Sequence, residues 1–228
     1  MFLLFYNKNI HMPKPKKNTQ SERMQKLLAA ALYQHGYFTA KQAEEIGYLP
    51  TNFQHHVKSG AWVREARGLY RIKTIPFSSH KYAQMMHYQL WSRDRNDKPL
   101  GVYSHETALS LFELSDVMPA KLHMSVPKHF RKWAKTPAVL KLYFSDIEPG
   151  DITSIEGIFV TKPLRTILDL IHTGETSPEF IEQAIWEALE RGLVTMKELR
   201  AQESKTPEVK KMLEQTLLKN GRKKAAGQ

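Results

Sequence analysis

The chain has 228 residues, a formal net charge of +11 at pH 7 and no cysteine. Its apolar fraction of 41% and charged fraction of 25% are typical of a globular protein rather than a disordered one. The lack of cysteine excludes a disulfide scaffold, a thiolate metal site and a cysteine nucleophile. No segment reaches the roughly 20 apolar residues that a membrane-spanning helix requires, so we expect no membrane partner.

Most of the net positive charge lies in the first third of the sequence. Residues 1–80 contain twelve lysines and arginines but only four glutamates. A basic region of this kind attracts a polyanion such as nucleic acid, although lysine-rich surfaces also serve only for solubility. The charge distribution therefore favours nucleic acid as a partner if the same region has a suitable fold.

The N-terminal residues are basic and rich in proline. Residues 1–6 are apolar, but they are too few for a signal peptide and no basic residue precedes them. We expect Met12 to be the initiator and residues 1–11 to be an upstream extension. Residues 1–20 are predicted to be a disordered basic arm, either a solvated tail or one that contacts DNA phosphates. Its candidate contact residues are Lys14, Lys16 and Lys17.

A three-helix pattern follows. Ser21 is the predicted N-cap of the first helix. Thr39 caps a short second helix that Gly47 ends, and a third helix runs from about residue 51 to residue 59. The apolar stripe of the first helix consists of Met24, Leu27, Leu28, Ala31 and Leu32.

The third helix carries a mostly polar surface. Phe53 and Val57 lie one helical turn apart and are predicted to anchor it to the core. Asparagine and glutamine side chains can make paired hydrogen bonds to adenine. The residues expected to face DNA are Thr51, Asn52, Gln54 and His55 for the bases, and Lys58 for the backbone.

Two short extended segments with a glycine between them predict a hairpin over residues 62–72. It carries Arg64, Arg67 and Arg71, which we expect to contact phosphates or a groove edge. A short polar helix beside an arginine-bearing hairpin indicates a winged helix-turn-helix over residues 21–73.

This region resembles the N-terminal winged helix-turn-helix of the AbiEi-like antitoxins, which belong to type IV toxin–antitoxin (abortive infection) systems. The segments that carry the resemblance are FTAKQAEEIG at residues 38–47, GAWVR at 60–64 and RGLYR at 67–71. The resemblance implies that the hairpin is the wing of a DNA-binding domain.

The rest of the sequence alternates between predicted helices and strands. This indicates an α+β protein in which a mixed α/β domain over residues 78–218 follows the winged helix-turn-helix, with a disordered basic tail over 219–228. Strands are predicted at 101–104, 121–126, 139–144 and 157–161. Helices are predicted at 78–93, 105–112, 162–171, 177–190, 196–201 and 207–218.

Several motifs of this second part resemble the C-terminal antitoxin domain of the same family. They are YSHETAL at 103–109, LSD at 114–116, HMSVP at 123–127, VTKPLRTILD at 160–169 and ALERGLV at 188–194. Together with the N-terminal match, the resemblance covers about residues 22–200. The motif residues expected to matter for antitoxin activity are Ser104, His105, Thr107, Thr161, Lys162, Arg165 and Asp169.

The resemblance implies a bacterial antitoxin that represses its own operon and takes part in phage defence. Its expected partners are double-stranded operator DNA with inverted repeats and a cognate nucleotidyltransferase-like toxin. In type IV systems the antitoxin need not bind the toxin directly. Self-association on DNA and a cytoplasmic, nucleoid-associated location are also implied, with no cofactor.

The sequence has no compact catalytic or metal-binding motif, which predicts a protein that is not an enzyme. Its ten histidines show no HExxH spacing, and it has neither a glycine-rich phosphate loop nor a GxSxG elbow. Neighbouring helical residues point about 100° apart, so we interpret Ser104 as the N-cap before His105 and not as its nucleophilic partner. Arg165 and Asp169, four residues apart on a helix, predict a structural ion pair.

Two alternatives remain open from sequence alone. One is a winged-helix transcriptional regulator whose C-terminal domain senses a ligand or binds a partner. The other is an enzyme, such as a nuclease, that the helix-turn-helix delivers to DNA. The segment Glu156-Gly-Ile lacks the Glu-x-Lys pattern of many metal-dependent nucleases, which weighs against the second alternative.

Overall fold

The structure of the protein is a computed structural model that describes residues 19–76, 80–132, 134–203 and 207–226. The chain divides into two compact units, with the division between residues 76 and 77. The mixture of helices and strands confirms the predicted α+β class. Across these described ranges, every helix is too short or too polar to cross a membrane.

The first helix, α1 (Gln20–Tyr33), begins with a capping box at Thr19 and not at the predicted Ser21. The Thr19 hydroxyl accepts a hydrogen bond from the amide of Glu22, and the Glu22 carboxylate accepts one from the amide of Thr19. These bonds satisfy amides that no helical carbonyl reaches. The prediction of Ser21 as the N-cap is wrong. Three residues after Ser21 lies Met24, whose side chain cannot accept the reciprocal hydrogen bond that Glu22 accepts from Thr19.

The apolar stripe predicted for α1 is wider than the face that packs. Leu27 and Ala31 are fully buried, whereas Met24, Leu28 and Leu32 are 42%, 37% and 57% exposed. A small unit buries only part of its apolar surface, and one row of α1 is enough to contact its core. Apolar spacing alone therefore predicts too wide a buried face.

The helix-turn-helix follows α1. Helix α2 (Ala40–Ile46) is capped by Thr39, as predicted, and ends at Gly47 with a φ of 108°. Glycine adopts this left-handed conformation without the steric cost of a Cβ atom, so the helix stops there. A 3₁₀ turn (Pro50–Asn52) then leads into α3 (Phe53–Lys58), which is shorter than the predicted third helix.

The wing is a three-stranded antiparallel sheet. Its strands are β1 (Tyr37–Thr39), β2 (Trp62–Ala66) and β3 (Leu69–Ile72), in the order β1-β3-β2. The β2–β3 hairpin agrees with the prediction. Strand β1 was not predicted, because three residues are too few to show an alternating pattern.

The second unit is built on a five-stranded mixed sheet covered by helices. Its strands are β4 (Val102–Tyr103), β5 (Leu122–Val126), β6 (Leu140–Phe144), β7 (Ile152–Ile155) and β8 (Ile158–Thr161). Its helices are α4 (His80–Trp91), α5 (His105–Phe112), α6 (Pro163–Thr173), α7 (Pro178–Glu190), α8 (Met196–Glu203) and α9 (Pro207–Ala226). The strand order is β6-β5-β4-β8-β7, with parallel pairs β5–β6 and β4–β8.

Strand β7 was absent from the prediction and pairs with β8 in an antiparallel hairpin. The two strands are joined by Glu156 and Gly157, which have φ values of 50° and 78°. Two successive residues with positive φ form a turn whose twist suits a hairpin, and its usual first residue is Asn or Asp. Because Glu156 occupies that place, the turn has no clear signal in the sequence.

The apolar core of the second unit lies among its C-terminal helices. Ile167 and Leu170 of α6 are fully buried against Ile181 and Ile185 of α7. Helix α9 extends to Ala226, which differs from the disordered tail predicted from residue 219. The opposite side of α6 is left to face the edge strand β6, where a pocket forms.

Candidate functional site

The predicted base-contacting residues lie around α3. Phe53 is 6% exposed and packs into the core, which fixes the side of the helix that faces inward. The outward groups are amides, a hydroxyl, an imidazole and an ammonium, which suit base edges and phosphates. The exposed residues on this surface are Thr51, Asn52, Gln54, His55 and Lys58.

Trp62 of the wing positions α3. It is 2% exposed, and its ring centroid lies 5.3 Å from that of Phe53 and 4.5 Å from that of His56, both on α3. On its other side it meets Phe38 of β1 at 4.8 Å. Burial lowers the pKa of His56, with the neighbouring His55 adding to the effect, so His56 packs as a neutral ring. The wing and α3 therefore share one aromatic core.

Arg23 fixes the turn of the helix-turn-helix and was not predicted as a site residue. Its Nη1 donates a hydrogen bond to the carbonyl oxygen of Gly47 at 3.0 Å. A carbonyl at the end of a helix lacks a helical partner, so this bond satisfies it and ties α1 to the end of α2. In the sequence, Arg23 is recognisable only as one of the positive charges of the first unit.

The three wing arginines differ in their surroundings. Arg64 and Arg67 are exposed. Arg71 is held in the hairpin, where its Nε donates to Glu65 Oε1 at 2.9 Å and the two side chains are 18% and 25% exposed. The Glu65 carboxylate offsets the charge of Arg71. Because of their exposure, Arg64 and Arg67 are the better candidates for contact with phosphates.

The arm residues Lys14, Lys16 and Lys17 lie outside the described residues, and their contacts stay a prediction. In the described part of this unit, β2, which carries Arg64 and leads to Arg67, packs against α3, and both arginines are exposed, as are the polar residues of α3. This arrangement suits a short helix in a groove with basic side chains on the flanking phosphates. We refer to residues 51, 52, 54, 55, 58, 64 and 67 as the reader face.

In the second unit, a pocket of about 600 Å³ brings together residues that are far apart in the sequence. It lies between strand β6, the start of α5 and the side of α6. Among the described residues, no three histidine or acidic side chains are grouped as a metal site would require. Of the predicted antitoxin-domain residues, His105, Arg165 and Asp169 line the pocket.

Ser104 and His105 are in direct contact, which corrects the expectation from helical geometry. Ser104 is the N-cap residue of α5, as predicted, but its side chain makes no capping hydrogen bond, and His105 Nδ1 lies 2.9 Å from Ser104 Oγ. The 100° separation holds for two helical residues, whereas Ser104 is extended and His105 has a φ of 51°. Ser125 donates to Ser104 Oγ at 2.8 Å, and Ser104 is fully buried. A hydroxyl enclosed in this way is not accessible to a substrate.

His105 forms one wall of the pocket together with Tyr143. Their rings are stacked, with centroids 3.6 Å apart and an angle of 9° between the planes. Burial lowers the pKa of His105 to about 3, with the nearby His123 adding to the effect. Burial raises the pKa of Tyr143 to about 12, so the phenol keeps its proton and donates to Glu175 at 3.0 Å. The wall is therefore flat and uncharged at neutral pH.

Arg165 joins the two carboxylates of the pocket. Its Nε donates to Asp169 Oδ1 at 2.8 Å, which is the ion pair that the spacing predicted. Its Nη1 and Nη2 reach Asp151 Oδ2 at 3.4 Å and Ser145 Oγ at 3.3 Å. Burial raises the pKa of Asp169, although the Arg165 guanidinium opposes the rise. Within the described residues, Asp169 Oδ2 is buried and has no hydrogen-bond partner.

The motif threonines hold the elements around the pocket. Thr107 Oγ1 accepts a hydrogen bond from the amide of His123 at 2.8 Å, which joins α5 to β5. The hydroxyls of Thr161 and Thr166 lie 2.7 Å apart where β8 leads into α6. Lys162 lies at the same junction with its side chain exposed. These residues therefore stand outside the pocket, although Thr161 and Thr166 secure the helix that carries Arg165.

The first unit matches a known protein family. Residues 25–73 match the sequence model of a family described as a transcriptional regulator, AbiEi antitoxin. The match runs from α1 to the end of the wing and does not include the pocket. No curated protein matches the chain significantly. The predicted resemblance is confirmed over residues 25–73, and this segment is a winged helix-turn-helix similar to the AbiEi antitoxin transcriptional regulators.

Proposed function

We propose that the protein is a type IV antitoxin that represses its own operon and counteracts a nucleotidyltransferase-like toxin. One observation carries the proposal. The family match over residues 25–73 coincides with the exposed reader face of α3 and the wing. A regulator of this family acts on DNA, and the reader face presents the groups that DNA recognition requires.

In the proposed complex, α3 enters the major groove of the operator. Asn52 and Gln54 read bases together with Thr51 and His55, because their polar groups point away from the core. Lys58, Arg64 and Arg67 contact phosphates on either side. Helix α3 is short, and its orientation relative to the wing depends on the packing of Trp62 against Phe53 and His56.

The second unit is proposed to act against the toxin without requiring direct contact with it. Inverted repeats in the operator would bring two copies of the chain together on one DNA, and self-association would then strengthen repression. Such a protein works in the bacterial cytoplasm at the nucleoid. The supporting observation is that three residues of the predicted antitoxin motifs, His105, Arg165 and Asp169, meet at one pocket.

Operator binding is tested by replacing Arg67 with alanine. Log affinity falls with log salt, and each phosphate that a protein neutralises adds about 0.9 to the steepness of that fall. We expect Arg67→Ala to weaken binding to the DNA upstream of the gene and to reduce the steepness by about 0.9. Lys197→Ala removes an exposed positive charge from α8 and serves as the matched control. Gel shifts at several salt concentrations in which both variants behave alike would contradict the assignment of the wing.

Antitoxin activity is tested by expressing the full chain together with the product of the neighbouring gene. If that product is the toxin, the wild-type chain should restore growth. Variants of the reader face, such as Asn52→Ala with Arg67→Ala, should lose repression of the operon but still restore growth. Failure of the wild-type chain to restore growth would refute the antitoxin function, even if operator binding is intact.

A further inference from the structure

The pocket of the second unit has the size and the mixed lining of a small-molecule site. Its volume of about 600 Å³ lies within the range of roughly 300–1,000 Å³ that such sites occupy. Leu164 and Leu168 provide apolar surface, and Asp151 and Asp169 provide polar groups. Neither the family match over residues 25–73 nor DNA recognition uses this pocket.

The charged groups of the pocket favour a positively charged ligand. Arg165 contributes one positive charge against the two negative charges of Asp151 and Asp169. Arg165 already donates to both carboxylates and to Ser145, so an anion approaching it would meet two like charges. In the described part of the chain, Asp169 Oδ2 has no donor, and the Asp151 side chain is 43% exposed. Among the charged groups that line the pocket, two carboxylates therefore outnumber one guanidinium.

The conformation of His105 is an independent observation at the same place. Its φ of 51° lies in the left-handed region, which a histidine adopts at a steric cost. Strain of this kind persists only where other contacts hold it, and it is concentrated at functional sites. Here the contact with Ser104 Oγ at 2.9 Å and the stack on Tyr143 hold the ring against the pocket. The result is a flat, neutral wall suited to a planar group.

We propose that this pocket binds a small organic cation with a planar, N–H-rich head and a short apolar body. The head, a guanidinium or an amidinium, donates to the Asp151 carboxylate, whose side chain is 43% exposed, and the negative charge of the more deeply buried Asp169 behind it adds to the attraction. The body lies against Leu164 and Leu168. This function goes beyond DNA recognition and does not depend on it.

Three probes of similar shape and different charge test the proposal on the full chain. Benzamidine is a planar amidinium cation at neutral pH, benzamide is neutral and benzoate is an anion. Binding is followed by ligand-observed NMR titration and by thermal melting. We expect saturable binding of benzamidine with an affinity about tenfold or more above that of either other probe, because only the cation satisfies the carboxylates.

Two variants and one control locate the binding. Asp169→Asn and Asp151→Asn should each weaken benzamidine binding by about tenfold, because each removes one charge and keeps the shape. Glu190→Gln removes an exposed carboxylate from α7, outside the pocket, and should leave binding unchanged. If Asp169→Asn does not fold, Asp151→Asn still gives the result, since that side chain is 43% exposed.

Three results would overturn the proposal. These are tighter binding of benzoate than of benzamidine, equal benzamidine affinity in Asp151→Asn and Glu190→Gln, and no saturable binding of benzamidine. Operator binding by the first unit is measured in a separate assay with Arg67→Ala. Failure of the ligand proposal is therefore distinguishable from failure of the proposed regulatory function.

Discussion

Replacing Trp62 with alanine tests whether one buried ring holds the reader face in place. Trp62 is 2% exposed, stacks on His56 and meets Phe53 and Phe38 edge to face. Removing a buried tryptophan side chain costs about 3–5 kcal/mol, and small domains have total stabilities that begin at about 5 kcal/mol. We therefore expect Trp62→Ala to leave the first unit largely unfolded and unable to bind the operator.

Trp62→Phe separates the packing of the ring from its hydrogen-bonding group. Within the described residues, Trp62 Nε1 is buried and has no acceptor. A buried donor without a partner costs about 1–3 kcal/mol, and phenylalanine removes that donor. Removing it offsets much of the cost of the smaller ring, so the net loss of stability in Trp62→Phe should be about 1 kcal/mol.

Hydrogen exchange followed by mass spectrometry on the full chain measures both variants, one unit at a time. In Trp62→Ala, amide protection in residues 19–76 should fall by about a hundredfold or more, which corresponds to the loss of at least about 3 kcal/mol. Protection in residues 80–203 should not change. Equal losses in the alanine and phenylalanine variants would refute the role of aromatic packing. A loss of protection spread over both units would refute the independence of the first.

Three further predictions concern single side chains or positions. Glu65→Gln removes the carboxylate that offsets Arg71 and should raise operator affinity about threefold in gel shifts at low salt. Burial lowers the pKa of His105 to about 3, below its ordinary value of 6.5. As the pH falls, the unfolded chain therefore protonates this histidine at a higher pH than the folded chain does. Stability in denaturant titrations should then fall by about 1.4 kcal/mol per pH unit as the pH drops from about 6.5 towards 3, and His105→Gln should flatten that slope. At Gly101 an added Cβ would overlap a buried methionine, so Gly101→Ala should cost about 1–3 kcal/mol, whereas Gly150→Ala, which has open space, should melt like the wild type.

The helix-turn-helix was predictable from the sequence because its signals are local. Thr39 and Gly47 mark the two ends of α2 through their own side chain or conformation, and the positions of α3 and the hairpin follow within a few residues. The elements that escaped prediction were short or lacked local signals. Strand β1 has three residues, and strand β7 enters its turn through Glu156 in place of the usual asparagine or aspartate.

The pocket was not predictable because its walls come from separate parts of the chain. Tyr143 lies on β6, which received no functional assignment from the sequence, and its stack on His105 depends on how α5 packs against the edge of the sheet. The ion pair of Arg165 with Asp169 was predicted from spacing, but its extension to Asp151 crosses from α6 to the turn before β7. The spacing of residues in the sequence predicts contacts within one helix or strand, but not contacts between separate helices and strands.

The contact between Ser104 and His105 shows why residues that match a motif can have different roles. Ser104 is fully buried and does not line the pocket, yet its Oγ lies 2.9 Å from His105 Nδ1 and helps to hold that ring in a strained conformation. Thr161 is equally buried, and its bond to Thr166 secures the start of the helix that carries Arg165. A substitution at either position would therefore alter the pocket without removing any group that faces it. Loss of the Ser104 hydroxyl would also remove the acceptor of the buried Ser125 hydroxyl, whereas Thr166 would keep its hydrogen bonds to the carbonyl oxygens of Thr161 and Lys162.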